Sequence, residues 1–352
     1  KVKNSSFVPE ENQKEWKTDN PYKLGVAYLK NNNYELAAKA LKENLKKDTD
    51  CSISRYGLGI AYLQMEKYAE AITEFKQVLI NEPDNSEARV SLGTAYLKLE
   101  KFESGIKEFS ILLKQNDNEE NKRKLAFAYY LLANKLFKNN NINEALNNYN
   151  NAAEYDKNNA VVAHKLGFCY HTLKNYPKAI ECFENALENV KDEEKRLEIY
   201  NLLIEAKIFN GDDEDALVLC NQSLIMFPFN AMTNFLIGEI YFHKNEYENA
   251  LNKYVEASKY DPKFIQALMN SGHIYVIKNY LNKALAVYAK VLELTPDNPT
   301  ALCNIALIKY KQGDKNAAFN ILFKLAVKGG EKNYLVHKYL GIIWLEKGKA
   351  HD

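Results

Sequence analysis

A five-residue string returns at a fixed interval along this chain. Leu24 to Tyr28 reads LGVAY, Leu58 to Tyr62 reads LGIAY and Leu92 to Tyr96 reads LGTAY, each 34 residues after the last. Equivalents of Leu24 continue at Leu132, Leu166, Leu203, Ile237, Ser271, Ile305 and Leu340, separated by 40, 34, 37, 34, 34, 34 and 35 residues. A period of this length describes an array of small units, each unable to bury its apolar face alone. It displaces the two or three independent globules that 352 residues would otherwise suggest.

A second half repeats about twelve residues further on. It reads YELAAKAL from Tyr34, YAEAITEF from Tyr68, INEALNNY from Ile142, YPKAIECF from Tyr176, YENALNKY from Tyr247 and LNKALAVY from Leu281. In both halves apolar residues recur at intervals of three and four, the helical period, so each unit is two antiparallel helices. The first helix carries a small residue (Gly25, Gly59, Gly93, Ala133, Gly167, Gly238, Gly272, Ala306, Gly341) and the second an alanine (Ala37, Ala71, Ala145, Ala179, Ala216, Ala250, Ala284, Ala318). Facing each other, these would let the two helices approach closely. A large ring follows the small residue by three positions, as at Tyr28, Tyr62, Tyr96, Tyr170, Tyr241, Tyr275 and Trp344. Pro83, Pro228, Pro262 and Pro296 stop one unit before the next begins.

These residues resemble the tetratricopeptide repeat, a 34-residue helix–turn–helix family. The expected fold is all-α, a right-handed superhelical α-solenoid of stacked antiparallel helix pairs. Nine units are expected over residues 18–333, after a partly ordered lead-in at 1–17 in which Trp16 caps the first pair. A tenth first helix, a terminal cap or truncated unit, is expected over 334–352. Departures from the repeat at 118–135 and 190–200 predict longer helices or looser stacking. There, near 118–125 and 190–196, two rigid halves are expected to meet.

Composition removes other classes. No apolar run is long enough to span a bilayer. The formal net charge is +1, and only Arg55, Arg89, Arg123 and Arg196 are arginine, so neither bulk attraction to nucleic acid nor bidentate phosphate recognition is favoured. Cys51, Cys169, Cys182, Cys220 and Cys303 are scattered without a CxxC pair, which reads as free thiols in a reducing compartment and favours the cytoplasm. A chain beginning at Lys1 leaves an exported or periplasmic form open. The abundance of asparagine, with runs at 31–33 and 139–141, is read as an AT-rich coding bias.

No nucleophile elbow, phosphate-binding glycine loop or HExxH motif occurs, so no catalytic residue and no cofactor is expected. His164 and His171 lie two helical turns apart, about 10 Å, too far to share one ion, and no metal site is expected. The acidic stretch at 211–215 lacks the ligand spacing of an EF-hand and reads as a turn and helix start. The resemblance implies that first helices line a concave groove at defined positions. In the middle and later units these hold Phe127, Tyr130, Asn134, His164, Lys165, Phe168, His171, Asn201, Glu205, Phe235, Glu239, Phe242, His243, Met269, Asn270 and His273. Ten of these are taken as the partner-binding set: Tyr130, His164, Phe168, His171, Phe235, Phe242, His243, Met269, Asn270 and His273. Rings there supply contact area and polar groups fix register.

Two ligand modes known in the family do not carry over. Units one to three place Tyr22, Val26, Gly57, Glu87 and Ser91 where the clamp for a Glu-Glu-Val-Asp tail has lysine, arginine and asparagine. Asn270 and Asn304 make only a short asparagine ladder. The expectation is a non-enzymatic scaffold for a protein or peptide partner, able to self-associate through Leu340, Ile343 and Trp344. The alternatives are a targeting or regulatory module of a larger enzyme or assembly and, less favoured, an RNA-binding helical repeat.

Overall fold

The computed structural model describes residues 20–329 and 334–348. The lead-in expected over 1–17, with Trp16, and the end of the tenth unit lie outside them. Among the described residues there are nineteen α-helices and no strand. The chain divides into two compact units, with the boundary between Cys169 and Tyr170. That division falls between the two stretches, 118–125 and 190–196, where the sequence expects rigid halves to meet.

The first unit contains α1 (Pro21–Lys30), α2 (Tyr34–Lys47), α3 (Ser52–Gln64), α4 (Tyr68–Asn81), α5 (Ser86–Lys98), α6 (Phe102–Gln115), α7 (Glu119–Lys138) and α8 (Ile142–Tyr155). Helix α9 (Ala160–Thr172) reaches the boundary. The second unit contains α10 (Tyr176–Asn189), α11 (Glu193–Asn210), α12 (Asp213–Met226), α13 (Ala231–His243), α14 (Tyr247–Tyr260), α15 (Ile265–Ile277), α16 (Leu281–Leu294), α17 (Pro299–Lys311), α18 (Lys315–Gly329) and α19 (Tyr334–Gly348). Odd-numbered helices are the first of each pair, and even-numbered helices are the second. The extra residues near 118 and 190 lengthen α7 to 20 residues and α11 to 18. Among the described residues α7 packs on α8 more extensively than any other two helices pack, whereas α11 and α12 pack less extensively than the other hairpins whose contacts are described.

Within a pair the glycine of the first helix seats a large side chain sixteen residues later. A Cβ on Gly59 would lie 2.5 Å from Phe75, one on Gly93 2.7 Å from Phe109, and one on Gly238 2.5 Å from Tyr254. Phe75, Phe109 and Tyr254 are buried, and each contributes roughly 1.5–3 kcal/mol of hydrophobic stabilisation. The small residue of the second helix still approaches the first: a Cβ on Gly105 would sit 3.3 Å from the Gly93 carbonyl oxygen. The missing Cβ therefore makes room for a ring, and the facing of small residues read from the sequence is only half of the arrangement.

Every hairpin turns through a left-handed residue. These are Asn32, Glu66, Glu100, Asn140, Lys174, Asn245 and Asn279, with φ between 54° and 63°, and Gly211 and Gly313, with φ of 90° and 86°. At Glu66 and Glu100 the next amide closes the turn on the carbonyl of the conserved-register ring, Lys67 to Tyr62 and Lys101 to Tyr96, both 2.9 Å. Other asparagines cap helix starts: the side chains of Asn20, Asn85, Asn118, Asn230 and Asn298 accept amide hydrogens of α1, α5, α7, α13 and α17. Asparagine suits both places, because its side chain tolerates the left-handed region and accepts from an open helix end. Conformation thus accounts for residues that the sequence reading assigned to coding bias.

Arginine is used in a similarly uniform way. Arg55, Arg89 and Arg196 each donate from Nη2 to a carbonyl six residues earlier, in the loop before their own helix: Thr49 at 2.7 Å, Pro83 at 2.5 Å and Val190 at 2.5 Å. Arg55 and Arg89 also pair with Glu74 at 3.2 Å and Glu108 at 2.9 Å on the second helix of their own pair. The planar guanidinium reaches loop and helix together, which an ammonium does not.

Candidate functional site

The ten side chains singled out from the sequence divide between the units. In the first unit Tyr130 packs on buried Tyr149 and stacks with exposed Phe127, at 6.1 and 6.3 Å between ring centroids. Tyr130 and Phe127 line a surface pocket of about 210 Å³ with Arg123, Asn159 and Val161. Phe168 is exposed and meets Phe137 edge-on at 5.8 Å. His164 is buried at 9% exposure, so it belongs to the wall and not to its surface.

The other seven lie in the second unit. His171 contacts Tyr176 and Phe209 at 5.6 and 5.8 Å, and those two rings stack at 5.3 Å. Phe235 packs on Tyr254 at 5.6 Å and on Phe264 at 5.0 Å, on the core side of α13. Phe242 meets Tyr247 at 5.6 Å and exposed His273 at 5.8 Å. His243 is exposed at the end of α13, with Nδ1 3.9 Å from Asp213. Met269 is half-buried against the α15–α17 core.

Asn270 takes part in the most developed polar arrangement of the face. Its Nδ2 donates to Glu239 Oε1 at 2.7 Å, and the Tyr254 hydroxyl donates to the same oxygen. Burial, with the Glu239 hydrogen bond and charge beside it, pushes the Tyr254 phenol well above its usual range, so it remains a donor. Tyr149 makes the equivalent bond three hairpins earlier, donating to Asn134 at 2.7 Å. Side-chain hydrogen bonds tie α11 to α13 and α13 to α15. Thr233 of α13 donates to Asn201 of α11 at 3.1 Å, and Asn270 of α15 reaches Glu239 of α13.

Phe209, Phe137 and Tyr176 were not singled out from the sequence, although Phe209 stands 34 residues before His243 and was legible by that count. Among the described residues no three His, Cys, Asp or Glu side chains converge to hold a metal ion. Burial pushes the Cys169 thiol up to about 11 and the Cys220 thiol up to about 12, away from nucleophile chemistry. Among the described residues no helix is long and apolar enough to cross a membrane.

The fold and this face define a helical-hairpin repeat protein with a surface built from first helices. Tetratricopeptide repeat models match residues 22–74, 56–120 and 136–198, and a TPR repeat model matches 238–276 and 272–313. The chain belongs to the tetratricopeptide repeat family. It is similar to the BBSome complex member BBS4 of Bos taurus, 24% identical over 178 residues, covering 51% of this chain and 34% of that protein. It is also similar to tetratricopeptide repeat protein 21A of Mus musculus, 25% identical over 229 residues, covering 58% of this chain and 17% of that protein. The matches span about a third of the first relative's length and 17% of the second's. The crystal structure of PilW, a widely conserved type IV pilus biogenesis factor, has the same fold at a TM-score of 0.53 and 17% identity. The match covers 61% of this chain and 98% of that one.

Proposed function

We propose that this chain is a non-catalytic scaffold that holds an extended or helical segment of a partner protein against the face of its first helices. The observation that carries the reading is the register of exposed side chains on α11, α13 and α15. Phe209, His243 and Ile277 stand 34 residues apart and are all exposed, with exposed His273 beside them. An apolar and aromatic strip left uncovered in a folded protein marks an interface. Three of the four arginines are spent inside the fold, which favours a protein partner over nucleic acid. The similarity to a named member of a multiprotein complex supports a place in an assembly.

The test is affinity capture with the intact chain, followed by quantitation of the captured partner against two variants. Phe209→Ser with Ile277→Ser is expected to abolish capture. Val255→Ser, on exposed Val255 of second helix α14, is expected to leave it intact. Loss through Val255 alone would overturn the reading. A second reading applies to the last helix, where Trp344 and Leu345 are exposed while Ile343 is buried in the α17–α18 core. Self-association through that helix is expected to appear in light scattering and to vanish in Trp344→Ser.

A further inference from the structure

Residues one repeat apart occupy equivalent places on successive first helices. In the second unit Glu205 of α11 and Glu239 of α13 share such a place, and His273 of α15 continues it. The residues of that register in the first unit, Val26, Ile60, Thr94, Asn134 and Phe168, carry no charge. Both carboxylates are half-buried, and among the described residues neither lies in an ion pair. Two neutral donors, Tyr254 and Asn270, aim Glu239 without neutralising it. The lysines at the ends of these same helices are committed to second helices: Lys207 to Glu184 at 3.2 Å, Lys244 to Glu214 at 2.6 Å, and Lys278 to Glu248.

Partly desolvated carboxylates are unfavourable without opposite charge, and among the described residues no cation pairs with them. The strip beside them is apolar and aromatic, so the missing charge and the missing cover belong to one occupant. Neighbouring packed helices stand about 8–10 Å apart. A polyproline-II segment advances about 9 Å in three residues and returns its side chains to the same side.

Resting on the docking reading above, we propose that α11, α13 and α15 bind an extended segment with two basic residues three positions apart, arginine foremost, and apolar residues between them. Each guanidinium faces one carboxylate, the planar fork matching the carboxylate better than an ammonium does.

The probe is a set of three fluorescein-labelled twelve-residue peptides, alike except that the two positions hold arginine, alanine or glutamate. Each is titrated with the full chain by fluorescence anisotropy. The arginine peptide is expected to bind about tenfold tighter than the alanine peptide, the glutamate peptide weakest, with the preference fading as salt rises. Glu205→Gln with Glu239→Gln removes the preference. Glu205→Gln alone, which leaves the Tyr254 and Asn270 bonds in place, removes part of it, and circular dichroism checks the fold of each variant. Equal binding of the three peptides overturns the inference and leaves the docking reading standing. So does a preference that survives both substitutions. Failure of all three to bind overturns the docking reading and this inference with it.

Discussion

Gly59 and Gly341 occupy the same place in the repeat, yet replacing each by alanine is expected to change stability in opposite directions. A Cβ on Gly59 would meet three atoms of the Phe75 ring at 2.5, 2.8 and 2.9 Å. Phe75 is fully buried, so the ring has nowhere to move. Overpacking of this kind costs about 1–3 kcal/mol, against about 1 kcal/mol gained when alanine replaces glycine within a helix. Three simultaneous contacts under 3.0 Å set the cost at the upper end, leaving Gly59→Ala less stable by about 1–2 kcal/mol. Nothing lies within 4 Å of a Cβ on Gly341, and Gly341→Ala keeps the full helix gain of about 1 kcal/mol. Repeat arrays do not unfold in one step, so the measurement is native-state hydrogen exchange read separately on α3, α4 and α19, with urea midpoints alongside. Protection is expected to fall in α3 and α4 for Gly59→Ala and to rise in α19 for Gly341→Ala. A gain at Gly59, or two changes of the same sign, would refute the ring-seat account.

Glu66 is exposed and has φ of 58°, so Glu66→Gly is expected to raise the urea midpoint. Relief of left-handed strain, about 1–2 kcal/mol, exceeds the entropy cost of glycine, about 0.5–1 kcal/mol. Tyr254→Phe removes a donor to Glu239 and is expected to cost about 1–3 kcal/mol. The loss is read as a fall in the urea midpoint. Cys220 keeps its proton in the folded chain up to about pH 12, whereas an unfolded thiol loses it near 9. The folded state therefore binds more protons across that window, and its stability declines as pH rises through it. Alkylation at pH 9 should spare Cys220 while labelling Cys51, as peptide mapping would read.

The pairing of helices was legible because it is written in a period. Gly59, Ala71 and Phe75 recur at fixed offsets, and a helical period of three and four needs no tertiary knowledge. The job of the glycine was legible only in part, since which side chain enters the gap depends on the crossing of two helices and not on either alone. Long inserts at α7 and α11 were visible as broken spacing. Where the chain divides was not, because compactness depends on contacts summed over many helices. The candidate face was legible by position but not by exposure. Phe235 stands at a groove position, yet Tyr254 of α14 and Phe264 of the loop before α15 draw it inward, and His164, at another, is buried.

The offset of fifteen residues from Glu239 to Tyr254 ties the visible surface to the hidden interior. By that same count Phe75 and Phe109 stand fifteen residues after Ile60 and Thr94, whereas Tyr149, Tyr254 and Tyr288 stand fifteen after Asn134, Glu239 and His273. A phenylalanine floor goes with uncharged cover, and a tyrosine floor with hydrogen-bonding cover. Glu205, above Cys220, is the carboxylate without such support. Anyone re-engineering what this protein recognises is therefore editing two layers at once, and a graft that swaps only the outer layer strands a hydroxyl or leaves an acid unsupported.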